Sequence, residues 1–133
     1  MIIGIGTDIC DINRISQTLE KYGQKFKLKT FTEGERVYCD NKAVPANAYA
    51  KRFAAKEAVA KALAGNRTGS LSWTDVEVVN QPSGRPEIIL HGSAKARLKE
   101  RLPEGYHGSI HISLSDDPPY AQAFAIVEAL KDD

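Results

Sequence analysis

The apolar residues in the first part of the chain form one short strand-like run and then recur at helical spacing. Residues 2–8 form a short apolar run that ends at Asp8, which predicts a buried strand with a carboxylate at its end. Asp11 is suited to cap the helix that follows, and Gly23 is a natural residue to end it. One face of that predicted helix is apolar and consists of Ile12, Ile15, Leu19 and Tyr22.

Two further helices are predicted before the middle of the chain. Thr32 and Glu35 have the spacing of a capping box, which predicts a shorter helix that runs to about Asp40. Pro45 is a favourable first residue of a helix, and Gly65 is a favourable residue after a helix end. A long helix is therefore predicted between them.

Alternating patterns dominate the second half of the chain. The turn-rich residues 81–85 separate two strand-like runs, which predicts a β-hairpin. In a later strand the side chains alternate between two faces, with His111 and Ser113 on the same polar face. The predicted strands cover residues 73–80, 86–90, 109–115 and 120–129, and a predicted helix covers residues 93–102.

These elements predict one α+β domain over residues 1–133, with an antiparallel sheet packed against one long helix. A chain of 133 residues that is 42% hydrophobic and 26% charged suits a compact domain with its own core. The net charge of +1 argues against a protein that binds nucleic acid through bulk electrostatics. No apolar run suits a signal peptide or a membrane span, and the two cysteines have no metal-binding spacing. We therefore expect a soluble cytoplasmic protein with reduced thiols.

The long predicted helix sets the carboxylate Glu57 among the cations Arg52, Lys56 and Lys61. Arg52 and Lys56 are like charges one turn apart, which is unfavourable unless an anion lies between them. Two interpretations of this stretch stay open: a solvated face with a Glu57–Lys61 ion pair, and a site that gathers a metal and a phosphate. Glu57 shares a helical stripe with apolar residues expected to face the core, namely Tyr49, Phe53, Ala60 and Ala64.

Asp8 and Glu57 are the candidate metal ligands, although they can also be a capping residue and an ion-paired residue. Two carboxylates suit Mg²⁺ better than zinc, because Mg²⁺ keeps several waters and takes further ligands from phosphates. His111 and Ser113 can donate to a phosphate or simply line a polar sheet surface. Gly4 and Gly6 do not make a dinucleotide-binding loop and instead indicate close packing of the chain.

A local excess of positive charge lies in residues 14–29. It can receive an acidic partner or be an ordinary solvated surface. The cations of this stretch are Arg14, Lys21, Lys25, Lys27 and Lys29, and they are accompanied only by Glu20.

The order of these features resembles the holo-acyl-carrier-protein synthases, the small bacterial class of 4′-phosphopantetheinyl transferases. The resemblance covers nearly the whole chain and implies the 4′-phosphopantetheinyl transferase fold. It is carried by Gly4-Ile5-Gly6-Thr7-Asp8-Ile9, Arg14-Ile15, Arg52-Phe53-Ala54-Ala55-Lys56-Glu57-Ala58, Lys61-Ala62, Gly84-Arg85-Pro86 and His111-Ile112-Ser113.

The resemblance implies that the 4′-phosphopantetheine group of coenzyme A is transferred to a serine of apo acyl carrier protein, in support of fatty acid biosynthesis. The reaction would depend on Mg²⁺ and release adenosine 3′,5′-bisphosphate. By similarity, Asp8 and Glu57 would hold Mg²⁺, and Lys61 would act as a catalytic residue on the phosphates. Glu57 would also be the base, either directly or through a water.

The resemblance further implies binding residues and an assembly. The acidic carrier protein would dock on Arg14, Lys21 and Lys25, and the chain would form a homotrimer with its sites at subunit interfaces. Coenzyme A would be bound by Arg52, Lys56, Lys61, Gly84, Arg85, Pro86, His111 and Ser113, with residues 84–86 against the adenine nucleotide. Two alternatives remain open: a magnesium-dependent phosphohydrolase, and an interaction module without catalysis.

Overall fold

The computed structural model describes residues 1–65 and 71–133, and its elements follow the predicted order. The predicted α+β class with antiparallel strands is confirmed. The strands are β1 (Ile2–Asp11), β2 (Val76–Asn80), β3 (Pro86–Leu90), β4 (Tyr106–Asp117) and β5 (Tyr120–Lys131). The helices are α1 (Ile12–Tyr22), α2 (Gln24–Thr30), α3 (Glu33–Asp40), α4 (Pro45–Ala64) and α5 (Gly92–Arg101), with a 3-10 turn at Trp73–Asp75.

The helix ends follow the predicted capping signals. The Asp11 carboxylate caps α1, and Gly23 ends it with a φ of 52°. Thr32 and Glu35 make both hydrogen bonds of the capping box at the start of α3. Pro45 is the first residue of α4. These boundaries are set by residues that are close in sequence, which is why the pattern predicts them.

Four details differ from the expectation. The strand β1 continues to Asp11 and is exposed on one face, so Asp8 lies within the strand and not at its end. The sequence pattern does not predict α2, because its seven residues have neither a side-chain cap nor an extended apolar stripe. Residues 73–75 form a 3-10 turn, so β2 begins at Val76 instead of Trp73. The strands β4 and β5 are longer than expected, because their ladder continues to the Asp117–Tyr120 pair at the turn and to the Tyr106–Lys131 pair at the other end.

The strands form two antiparallel sheets where one was expected. In the first sheet β5 lies between β1 and β4, and the second sheet is the β2–β3 hairpin. The helix α4 packs across one face of the three-stranded sheet, mainly against β1 and β5. The residues of β5 that face α4 are small and buried, which lets the helix approach closely: Ala121, Ala123, Ala125, Val127 and Ala129.

Glycines of β1 set its distance from α4. A Cβ at Gly4 would overlap the main-chain carbonyl of Ala62, and a Cβ at Gly6 would overlap that of Ala58. This confirms that the two glycines serve close packing. The strand that carries Asp8 is consequently held against the last turns of α4.

The expected core stripe of α4 is confirmed for Tyr49 and Phe53 but not for Ala60 and Ala64. The sheet covers one side of α4, where Ala58 and Ala62 face β1, and α3 and β2 pack on other parts of the helix. The residues of this stripe lie between the side of α4 that the sheet covers and the parts that α3 and β2 cover. Tyr49 is fully buried, and the other members of the stripe are only half-buried: Phe53, Glu57, Ala60 and Ala64. Within the described residues, no helix is long and apolar enough to span a bilayer.

Candidate active site

Asp8, Glu57 and Lys61 meet where β1 crosses α4. The Lys61 ammonium donates to Asp8 Oδ1 at 3.2 Å and to the Thr7 carbonyl oxygen at 2.9 Å. Glu57 lies one turn before Lys61 and borders the same cavity as Asp8. The structure therefore brings together the three side chains predicted for metal and phosphate chemistry. Lys61 forms its ion pair with Asp8 and not with Glu57.

The charges of this cluster favour a cation between the two carboxylates. Burial raises the pKa of Glu57 above its ordinary value, the negative charge of Asp8 raises it further, and Lys61 acts in the opposite direction. A cation between Asp8 and Glu57 would relieve the repulsion between them. Residues 1–65 and 71–133 contain no group of three or more His, Cys, Asp or Glu side chains that could hold a metal. This pair fits Mg²⁺, which completes its shell with water and substrate phosphates.

Two cavities meet at Glu57. A largely apolar cavity of about 240 Å³ is bordered by Ala60 and Trp73. A second cavity of about 380 Å³ is bordered by Asp8 and Arg14. Glu57 lies on the wall of both cavities, so a substrate in either one reaches the carboxylate pair.

The basic surface adjoins the second cavity. Arg14 also borders a shallow groove of about 260 Å³ together with Lys21, and Lys25 is exposed on α2. Lys27 differs, because its ammonium is paired with the Asp40 carboxylate at 3.0 Å. The cations Arg14 and Lys21 thus line a path that leads toward Asp8 and Glu57.

Lys56 is unavailable to a phosphate, which corrects the role expected for it as a coenzyme A contact. Its side chain is 1% exposed, and its ammonium forms an ion pair with Glu35 Oε1 at 2.6 Å. It also donates to the carbonyl oxygens of Val76 at 2.5 Å and Trp73 at 3.0 Å. An ammonium has three N–H bonds, and these three acceptors use them. The anion that offsets the Arg52–Lys56 repulsion is therefore the buried carboxylate of Glu35, which the sequence indicates only as a capping residue.

Arg52 borders a different cavity, of about 480 Å³. Its Nη2 donates to Asn80 Oδ1 at 2.5 Å, and its guanidinium lies 3.8 Å from the centroid of the Tyr38 ring. Arg52 is 4% exposed, and its Nε has no hydrogen-bond partner among the described residues. A buried donor without an acceptor is unfavourable.

Two of the three predicted adenine-contact residues border the Arg52 cavity. Gly84 and Pro86 lie on its wall, whereas the exposed Arg85 is not among the described residues that line it. Lys42 and Lys51 border the cavity as well, and the sequence reasoning missed both. The sequence feature that could have indicated these two lysines is the excess of cations just before the long helix and in its first turns.

The Arg52 cavity and the Glu57 cavities lie on different sides of α4. At about 100° per residue, the five steps from Arg52 to Glu57 leave their side chains about 140° apart around the helix. The described residues that line the Arg52 cavity include none that line the two cavities at Glu57. One chain therefore presents two separate partial sites.

His111 and Ser113 lie on the face of the three-stranded sheet that is opposite α4. Their neighbours Ile110 and Ile112 pack against the core, so the alternation predicted for this strand is confirmed. His111 Nε2 forms a hydrogen bond with Glu128 Oε1 at 3.0 Å. Within one chain, these two side chains are not brought together with Asp8 and Glu57.

The face of the sheet opposite α4, which we call the open face, is apolar over its β1 half. Ile5 and Ile9 are each 63% exposed, and Phe124 is 44% exposed. The strand register puts Phe124 directly beside Ser113, so the apolar surface is continuous with the polar positions of β4. Exposed apolar patches of this kind mark interaction surfaces.

Comparison with known proteins identifies the family of the chain. Residues 4–124 match the model of the 4′-phosphopantetheinyl transferase superfamily. The chain is 55% identical over 130 residues to the holo-[acyl-carrier-protein] synthase of Methylobacterium radiotolerans, which covers 98% of this chain and 96% of that protein. It is 53% identical over 130 residues to that of Caulobacter vibrioides, with 98% of both chains covered.

Solved structures agree as well. The holo-[acyl-carrier-protein] synthase of Neisseria meningitidis superposes with a TM-score of 0.80 at 36% identity, covering 96% of this chain and 99% of that one. The Helicobacter pylori enzyme in complex with coenzyme A gives a TM-score of 0.77 at 30% identity, covering 93% and 99%. The fold and these relatives together establish that the chain belongs to the holo-[acyl-carrier-protein] synthases of the 4′-phosphopantetheinyl transferase superfamily.

Proposed function

We propose that this chain transfers the 4′-phosphopantetheine group of coenzyme A to a serine of apo acyl carrier protein in the cytoplasm, in support of fatty acid biosynthesis. Mg²⁺ is the proposed cofactor, and adenosine 3′,5′-bisphosphate is the second product. The observation that carries the proposal is the cluster of Asp8, Glu57 and Lys61 at the meeting point of two cavities. The coenzyme A complex of the Helicobacter pylori relative supports the choice of donor.

The proposed reaction is an in-line displacement at phosphorus. The serine oxygen bonds to the phosphorus next to the pantetheine arm, and the bond from that phosphorus to the oxygen it shares with adenosine 3′,5′-bisphosphate breaks. Phosphoryl transfer of this type depends mainly on positioning and on neutralising charge.

The chain supplies both functions through its carboxylates and one lysine. Asp8 and Glu57 would hold Mg²⁺, which when bound neutralises the diphosphate and polarises the attacked phosphorus. The Lys61 side chain is 54% exposed, so it can turn from Asp8 to the phosphates and stabilise the charge that develops there. The serine proton passes to Glu57, directly or through one water.

The proposal includes a homotrimer with active sites at subunit interfaces. Three observations support it: the exposed apolar residues of the open face, the separation of the Arg52 and Glu57 cavities, and the position of His111 and Ser113. A neighbouring copy on the open face would cover the apolar residues. It would also allow the Arg52 cavity, His111 and Ser113 of one chain to bind the nucleotide end of a coenzyme A whose diphosphate lies at Glu57 of the next chain.

The carrier protein is proposed to dock on Arg14, Lys21 and Lys25. Acyl carrier proteins are acidic, and complementary charge speeds and orients such an encounter. Support comes from the position of Arg14, which borders both the basic groove and the cavity that contains Asp8 and Glu57.

A mass measurement tests the reaction directly. The protein is incubated with apo carrier protein, coenzyme A and Mg²⁺, and the carrier is weighed by mass spectrometry. We expect the mass of one phosphopantetheine group to be added and adenosine 3′,5′-bisphosphate to appear. An unmodified carrier contradicts the transferase, and nucleotide release without carrier modification identifies a hydrolase.

Conservative variants test the metal pair. Asp8→Asn and Glu57→Gln keep the side-chain volume and remove the charge, so we expect each to abolish transfer while the protein stays folded. Lys99→Met, an exposed change on α5, is the matched control and should be fully active. Near-normal activity in either carboxylate variant contradicts the assignment.

Complementation tests the shared sites. Asp8→Asn disables the metal half of a site and Arg52→Lys disables the nucleotide half, so each variant alone should be nearly inactive. The two are co-expressed with different tags, and mixed oligomers are purified on both tags in turn. Each mixed trimer contains one interface with both halves intact, so about one third of the wild-type activity should return. If each site lies within one chain, the mixture stays as inactive as the separate variants.

A further inference from the structure

The last residue of α5 joins the two elements that carry the metal pair. Arg101 Nη1 donates to the carbonyl oxygen of Ala62 at 2.6 Å, and Arg101 Nη2 donates to the carbonyl oxygen of Ile3. Ala62 is the residue after Lys61 on α4, and Ile3 lies on β1, the strand of Asp8. One planar guanidinium therefore holds the main chain of β1 against the main chain of α4.

Both carbonyl groups lie where the regular hydrogen bonding of their elements stops. Ala62 is in the last turn of α4, whose carbonyl groups have no donor within the helix. Ile3 lies at the register shift between Ile2 and Gly4, where the β1–β5 ladder is interrupted. The guanidinium fork of Arg101 supplies donors to both groups at once, which a lysine ammonium on a flexible stem does less well.

The chain leaves space for this guanidinium. A Cβ at Gly4 would lie 3.0 Å from Arg101 Nη1, and a Cβ at Gly65 would lie 3.2 Å from Arg101 Nε. The guanidinium thus fits between two positions that have no side chain. It lies at the same contact where Gly4 lets β1 approach Ala62.

We propose that Arg101 is a positioning residue for the metal pair, an inference that rests on the proposed function. Among the described residues, Lys61 also ties β1 to α4 near the site, because it donates to Asp8 and to the Thr7 carbonyl. In the proposed reaction Lys61 turns to the phosphates and releases that tie. Arg101 then keeps Asp8 at the correct distance from Glu57, because its hydrogen bonds involve main-chain carbonyls and not the substrate.

A direct measurement of metal affinity distinguishes an effect of Arg101 on the metal pair from an effect on the overall stability of the fold. Mn²⁺ affinity is measured by electron paramagnetic resonance in the presence of coenzyme A, for the wild type, Arg101→Met, Arg101→Lys and the control Lys99→Met. Lys99 lies in the same last turn of α5 and is exposed, so its replacement removes the same charge without removing the contact. We expect both Arg101 variants to bind Mn²⁺ about tenfold or more weakly, as loss of a supporting contact does in other metal sites.

Kinetics give the second readout. The value of kcat should fall with Mn²⁺ affinity in both Arg101 variants, while KM for the carrier protein stays within about twofold, because the hydrogen bonds of Arg101 are to Ala62 and Ile3 and not to the proposed docking residues. Mn²⁺ affinity and kcat that stay within twofold of Lys99→Met overturn the proposal. A variant that unfolds is measured in trimethylamine N-oxide, which favours the compact state, and the same criterion applies there. A wild type that binds no Mn²⁺ and modifies no carrier refutes the proposed function itself, which is a distinguishable outcome.

Discussion

Replacing Lys56 by Met should destabilise the fold strongly and leave the catalytic chemistry almost unchanged. The ammonium of Lys56 lies between the Glu35 carboxylate and the carbonyl groups of Val76 and Trp73, so it joins α4 to α3, to β2 and to the turn before β2. Burial lowers the pKa of Lys56, and the Glu35 carboxylate acts in the opposite direction to keep it charged. Met keeps most of the length of the side chain and removes only the charged donor.

The expected loss of stability depends on the buried groups that remain in the variant. Glu35 is fully buried, and in the variant its carboxylate keeps the hydrogen bonds from the main-chain N–H groups of Thr32 and Val78 at 2.9 Å each but loses its counter-ion. Removing one partner of a buried ion pair destabilises proteins by about 3–5 kcal/mol. Met fills most of the space of Lys, so the cavity contribution is small and we expect a total within that range.

Urea unfolding at pH 7 measures the effect. Lys99→Met removes an exposed lysine and should change the free energy of unfolding by less than about 0.5 kcal/mol. Adding Glu35→Gln to Lys56→Met removes the unpaired buried charge, but the amide oxygen can accept from only one of the two main-chain N–H groups. The double variant should therefore regain no more than about 1 kcal/mol relative to Lys56→Met. Folded Lys56→Met should retain its KM for coenzyme A. A loss below about 1 kcal/mol together with a raised KM would refute the reasoning and restore Lys56 as a phosphate contact.

Three further predictions concern packing, acid stability and docking. Gly6→Ala should lower the free energy of unfolding in urea by about 2–3 kcal/mol, since its methyl group would overlap a carbonyl of α4; an unchanged stability contradicts the close contact. Burial raises the pKa of Glu77, but hydrogen bonds from Thr32 and His91 outweigh this and hold it below the ordinary value of 4.5. The Glu77 carboxylate thus stabilises the fold above pH 4.5, and this contribution is lost as the pH falls through the lower pKa of the folded state. In Glu77→Gln the free energy of unfolding in urea should therefore fall less steeply between about pH 5 and pH 3 than in the wild type. An unaltered pH dependence argues against this role of Glu77. Arg14→Glu should raise KM for the carrier protein about tenfold without changing KM for coenzyme A, and the wild-type KM for the carrier should rise with salt; a salt-independent value excludes charge steering.

Local structure is the part of this protein that the sequence determined by itself. The caps at Asp11 and Thr32, the start of α4 at Pro45 and the alternation along β4 all depend on residues within a few positions of one another. The convergence of Asp8 and Glu57 was also predictable, but only through the resemblance to a known family, because no spacing rule brings a strand and a distant helix together.

The tertiary structure decided the role of each cation on α4. Arg52 and Lys56 are one turn apart in the same motif, yet Arg52 borders a cavity and its buried Nε has no partner in the described part of the chain, while Lys56 is enclosed by Glu35 and two carbonyl groups. Their difference depends on α3 and β2, which approach the helix from distant parts of the chain. The position of His111 on the open face depends likewise on which side of the sheet α4 covers. A sequence pattern gives the direction of a side chain relative to its own helix or strand, whereas the partner that it meets is fixed only when distant elements pack together.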